Sequence, residues 1–79
     1  MTVREVRRRL WDYILYESPT GFLLSVVCGS VGLYVVTIAL SGAEGNRCRH
    51  DDRYLDGLVA KVRDFPHEYR ERRVPSPAL

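Results

Sequence analysis

From Ser18 to Ala43 the chain carries no charged residue, while acidic and basic residues crowd the segments on either side. An uncharged apolar run longer than about 18 residues is long enough to cross the hydrocarbon core of a bilayer as a helix. A chain of 79 residues has little else with which to cover such a helix inside a globular core. A cleavable signal peptide has a shorter apolar region, about 7–15 residues, close behind a basic start; here the run is longer and begins further in. The reading is therefore an all-α membrane protein with one transmembrane helix over 18–43. Ser18 would cap that helix and Pro19 suits its first turn. Ser41-Gly42 and Glu44-Gly45-Asn46 are poor continuers and would end it.

Small residues are concentrated in the middle of this run, in Ser25-Val26-Val27-Cys28-Gly29-Ser30-Val31-Gly32. On a helix, Ser25 with Gly29 and Cys28 with Gly32 form two adjacent small-xxx-small pairs, which let helix backbones approach in lipid. Ser25, Cys28, Gly29 and Gly32 are thus the expected helix-packing face.

The flanks read as helices of a second kind. Residues 1–17 fit a basic amphipathic interfacial helix, with Thr2 and Glu5 as a capping box and Val3, Val6, Leu10 and Tyr13/Ile14 at helical spacing. Arg4, Arg7 and Arg8 would meet lipid headgroups, with Trp11, Tyr13 and Tyr16 at the interface level; docking on a partner protein is the alternative. Residues 44–50 read as a loop. Over 51–65, Leu55, Leu58, Val59 and Val62 form the apolar stripe of a short helix, stopped by Pro66. Such a helix is marginal alone in water, so its stripe is expected to rest on a membrane surface or another subunit. Residues 66–79 read as an extended tail, with Arg70, Arg72 and Arg73 completing a partner-binding arm. Basic residues are too evenly shared between the flanks to orient the span.

Little in the sequence points to chemistry. Twelve basic and ten acidic residues leave a net charge of +2, too mild for a nucleic-acid binder. Cys28 and Cys48 would stand about 30 Å apart along a helix, beyond disulfide reach. Cys48, His50, Asp51 and Asp52, with His67 beyond, match no zinc spacing. No phosphate loop, nucleophile with a supporting pocket, or haem or iron–sulfur cysteine pattern is present. The expectation is a non-enzymatic protein with no metal, cofactor or small-molecule substrate, whose partners are lipids and the other subunits of a large membrane complex. Two function classes fit: a structural accessory subunit that staples neighbours with its arms, or a small single-span regulator of a pump or channel.

Val6-Arg7, Trp11 and Pro19-x-Gly21-Phe22 resemble the opening of the MNLL-type accessory subunit of mitochondrial NADH:ubiquinone oxidoreductase, respiratory complex I. Pro19-x-Gly21 and the later Arg70-Glu71-Arg72-Arg73 cluster are also similar to the MWFE-type subunit. The resemblance implies a single-pass protein of the mitochondrial inner membrane that supports assembly of the complex and holds no cofactor. Accessory subunits of complex III, complex IV or ATP synthase share the plan.

Overall fold

The computed structural model describes residues 3–19, 21–29 and 32–75. Its order of elements is four strands followed by two helices: β1 (Arg4–Arg9), β2 (Tyr13–Ser18), β3 (Gly21–Cys28), β4 (Tyr34–Leu40), α1 (Gly42–His50) and α2 (Asp52–Asp64), then a 3-10 segment at Pro66–Arg72. The strands form one antiparallel sheet in the order β1-β2-β3-β4, each paired with its neighbour in sequence.

The uncharged run is therefore two strands and a hairpin, not one helix. Among the described residues no helix is long and apolar enough to cross a membrane. This overturns both the all-α single-span architecture and the single-pass inner-membrane location. The physical reason lies in how the run is composed. Val26-Val27 and Tyr34-Val35-Val36-Thr37-Ile38 are β-branched or aromatic, types that suit a pleated surface. Between them the chain needs a turn, and Gly29 adopts φ +98°, where an added Cβ would collide with the Gly32 carbonyl oxygen. Leu24 pairs with Ile38, Ser25 with Thr37 and Val26 with Val36, so the two halves of the run bury each other.

The flanks are corrected too. Residues 1–17 hold β1 and β2 rather than an interfacial helix; Glu5 lies in β1, and Thr2 falls outside the described residues. The expected loop at 44–50 lies within α1. Ser41 caps that helix by accepting from the Glu44 N–H at 3.1 Å, while Glu44 Oε1 accepts from the Ser41 N–H at 3.0 Å. The same Ser41-Gly42 step that reads in sequence as a helix end is a reciprocal capping box, a helix start. Asp51 caps α2 through the Tyr54 N–H. The expected extended tail begins instead with the 3-10 segment. After it, Arg73 bridges Ile38 and the Val74 N–H donates to the Thr37 carbonyl at 2.9 Å, alongside β4.

Helices and sheet form two layers. Successive strand residues point to opposite faces, and one face presents Leu15, Leu24, Val26, Val36, Ile38 and Leu40. Against it pack Cys48 from α1 and Leu55, Leu58, Val59 and Val62 from α2 in a single buried cluster. Contact with α1 is close: a Cβ on Gly45 would overlap the Phe22 ring. Ion pairs tie the layers at the margins, Arg7 to Asp52, Arg49 to Glu17 and Arg63 to Asp12.

Candidate interaction surface

The helices occupy only one face of the sheet. The other carries Ile14 and Tyr16 from β2, Leu23, Ser25 and Val27 from β3, and Val35, Thr37 and Ala39 from β4, in cross-strand register. At its centre the Ser25 and Thr37 hydroxyls lie 2.7 Å apart and are almost wholly buried. Neither is left without a partner, so this part of the face is chemically quiet.

One end of the face differs from the rest. The β1–β2 turn, Leu10-Trp11-Asp12, is closed by the Asp12 N–H on the Arg9 carbonyl at 2.9 Å. Trp11 holds φ +64° in that turn, a region that costs an L-residue roughly 1–2 kcal/mol. Asp12 accepts from the Val27 N–H at 2.9 Å, placing the turn beside the end of β3. Val27 pairs with Val35 and Cys28 with Tyr34, so the start of β4 reaches the same end. Arg63, near the end of α2, donates to the Val27 carbonyl at 3.0 Å, and Phe65 follows it. The exposed large apolar residues among those described are Leu10, Trp11, Leu33, Tyr34, Val35 and Phe65, and all come from these converging segments. Trp11 is 75% exposed and Leu10 71%. Between the turn and the face lies an apolar cleft of about 170 Å³, lined by Leu10, Trp11, Ile14, Tyr16, Val27 and Val35, with Arg8, Arg9 and Asp12 at its rim.

The residues singled out from sequence are dispersed by this fold. Ser25 and Cys28 belong to β3 and Gly29 and Gly32 to the hairpin after it, so they form no helix face. Of the headgroup set, Arg7 pairs with Asp52, Arg4 with Glu17 and Arg8 with Glu5, while Tyr13 and Tyr16 are buried. Trp11 alone stands out as an exposed ring. Leu55, Leu58, Val59 and Val62 face the sheet of their own chain rather than a membrane or subunit. Arg72 turns back onto the Ala39 carbonyl and Glu44, and Arg73 onto β4; Arg70 is exposed. The sequence does not single out Leu10, Leu33, Tyr34, Val35 or Phe65 as parts of a site. Their common location depends on strand register, which no single segment reveals.

Nothing in the site suggests a reactive group. Cys28 and Cys48 are both buried and unpaired. Burial raises the Cys28 thiol despite Arg63 and Arg73, and it pushes Cys48 up to about 11, with Glu44 and Asp51 adding to the rise and Arg7 opposing it. Thiols so placed are poor nucleophiles and poor metal ligands at neutral pH. Among the described residues no group of three or more His, Cys, Asp or Glu gathers as a metal site.

No protein-family model, curated protein or solved structure matches this chain. The residues that carry the likeness to complex I subunits have a different setting here. Val6, Arg7 and Trp11 lie in β1 and its turn, Pro19 in the turn before β3, and Gly21 and Phe22 in β3.

Proposed function

We propose that the protein is a small binding module without chemistry of its own, which docks another polypeptide on the open sheet face at the end bearing Trp11. The observation that carries this reading is the convergence of the exposed Leu10, Trp11 and Val35 around one apolar cleft. Apolar side chains exposed singly are ordinary, whereas a contiguous patch with a cleft marks a contact surface. Tryptophan and tyrosine are also the residues that dominate binding energy at protein contacts. A role as a component of a larger assembly fits this surface, with a sheet face as its means in place of a helix packed in lipid.

The test is site-specific photo-crosslinking in the producing cell. A photoreactive phenylalanine analogue at Leu10, which is 71% exposed and lines the cleft, should give discrete crosslinked species, identified by mass spectrometry. The same probe at Gly57, exposed in the middle of α2, serves as control. Equal and diffuse labelling from the two positions would refute the docking role.

A further inference from the structure

A second cleft lies between α2 and the 3-10 segment and shares no lining residue with the one beside Trp11. Its volume is about 350 Å³, within the ~300–1,000 Å³ of small-molecule sites. Arg53, Gly57 and Lys61 all line it, standing at i, i+4 and i+8 of α2 and so along a single side of that helix. Gly57 leaves the space between the two cations open, since a Cβ there meets nothing within 4 Å. Most basic side chains of the protein are ion-paired within the chain, but among the described residues Arg53 and Lys61 have no acidic partner. The acid of the lining, Glu44, is already matched by Arg72. The cleft therefore carries two positive charges that the described residues leave unanswered. Tyr54 and Tyr69 add aromatic surface to it, their rings steadied by Arg47 at 4.4 Å and Arg72 at 5.9 Å from the ring centres.

We infer that this cleft binds a small phosphate monoester whose ester group is a planar ring, with the phosphate between Arg53 and Lys61 and the ring against Tyr54 and Tyr69. A phosphate monoester carries close to two negative charges at neutral pH and three strong acceptor oxygens, which match the two unanswered cations. A benzene ring fits in ~150 Å³, so ring and phosphate fit this cleft together. Arg53 and Lys61 are about 12 Å apart along the helix axis. That length holds one such molecule, whereas an extended peptide takes up ~3.3 Å for each residue. The site is separate from the docking face, and neither reading depends on the other.

Titration of the isotope-labelled full chain with phenyl phosphate, followed by amide chemical shifts at about pH 7.5 where the ligand is a dianion, tests this. The amides of Arg53, Gly57 and Lys61 should shift saturably, half-complete at about millimolar ligand, an ordinary affinity for so few atoms. Inorganic phosphate and phenol, each offering half of the contacts, should bind at least about tenfold more weakly. Arg53→Gln and Lys61→Gln break no ion pair among the described residues and should each weaken binding by about tenfold, the scale of a hydrogen bond to a charged group. Arg70→Gln removes the same charge from an exposed position outside the cleft and should change binding by less than about twofold, because solvent screens it. Gly57→Glu sets a carboxylate between the two cations and should abolish binding. That variant should melt no lower than the parent, since glutamate is the better helix former and gains i,i+4 partners on both sides. Absence of saturable shifts around Gly57 overturns the site. So does equal weakening by Arg70→Gln, which would reduce the effect to net charge. Equal affinity for inorganic phosphate overturns the ring, and much tighter binding of a phosphotyrosine peptide overturns a free small ligand.

Discussion

Ser25 and Thr37 face each other across β3 and β4 with their hydroxyl oxygens 2.7 Å apart, twelve positions from one another in a run that contains no charge. The pair is almost wholly buried, each hydroxyl satisfying the other. Removing one partner strands the second, at a cost of about 1–3 kcal/mol, whereas replacing both with apolar groups is nearly neutral. Ser25→Ala and Thr37→Val should each lower urea-unfolding stability by about 1–2 kcal/mol. The double variant should lose less than the sum, and strict additivity in the double-mutant cycle would contradict the hydrogen bond.

Two glycines predict opposite outcomes for the same substitution. Gly45 in α1 lies against the Phe22 ring, with no room for a Cβ, while a Cβ on Gly57 in α2 meets nothing within 4 Å. Gly45→Ala should destabilise by about 1–3 kcal/mol through overpacking. Gly57→Ala should stabilise by about 0.5–1 kcal/mol, because alanine loses less backbone entropy in a helix. Thermal melts of the two variants check the signs, and matching signs would misplace α1 on the sheet.

Trp11 occupies the third position of its turn with φ +64°, a site that glycine or asparagine fills without strain. Its ring is mostly exposed, so little packing is lost on removal. Trp11→Gly should therefore leave stability unchanged or raise it by up to about 1 kcal/mol. A loss of more than about 1 kcal/mol on chemical denaturation would show that the indole supports the fold instead of waiting for a partner.

The buried Cys48 thiol, pushed up to about 11 from an ordinary value of 9.0, makes stability pH-dependent on the alkaline side. Because the folded chain holds this proton more tightly, its contribution is complete below pH 9. It is lost as the pH climbs toward 11, where the unfolded chain has already released its proton. The loss amounts to about 1–3 kcal/mol at most, since a tenfold change in proton affinity is worth roughly 1.4 kcal/mol. Cys28, Tyr16 and Tyr69 are raised by burial and add in the same direction. Denaturation midpoints measured from about pH 8 to about pH 11 should fall less steeply for Cys48→Ala than for the parent, and parallel curves would rule the thiol out.

Glu44 contributes on the acid side. Burial tends to raise its carboxyl, but the Ser41 N–H and the Arg72 guanidinium outweigh burial and hold it below its ordinary value of 4.5. That stabilisation is present above the ordinary carboxylate range and disappears as the pH falls through the lowered folded value. Glu44→Gln should flatten this acid limb in the same denaturation series. It should also loosen the 3-10 segment, since Arg72 bridges Glu44 to the Ala39 carbonyl.

Part of this architecture is legible in the sequence. Leu55, Leu58, Val59 and Val62 share one side of a 3.6-residue period with Pro66 just beyond, and that stripe lies on one face of α2. The uncharged run misleads because hydropathy reports burial, not conformation. Two buried strands joined by a glycine turn have the same uncharged length as one membrane-crossing helix. The distinguishing signal is the period-2 set Phe22, Leu24, Val26 and Cys28, answered by Val36, Ile38 and Leu40, with the glycines of 29–32 between them. Ser41 and Glu44 likewise spell a capping box, which the neighbouring glycines disguise as a helix terminus. The candidate site is hardly legible at all. Trp11 stands out as an aromatic ring among charges, but its cleft partner Val35 lies more than twenty positions away and reaches it only through the register of β2 on β3 and β3 on β4.

Because every strand pairs with its immediate successor, the sheet closes only short loops, a topology that forms fast. Synthesis delivers the N-terminal part first, at about 5–20 residues per second. The four strands thus precede α1 and α2 out of the ribosome, and for a second or more the face bearing Leu15, Leu24, Val26 and Ile38 has no helical cover. During that interval the nascent sheet is apolar on both sides, and the arginines of β1 guard its outer edge against pairing with another chain. Asp52 and Asp56 meet Arg7 and Arg9 only when α2 arrives, so this ion-paired margin is the last part of the sheet's border to close.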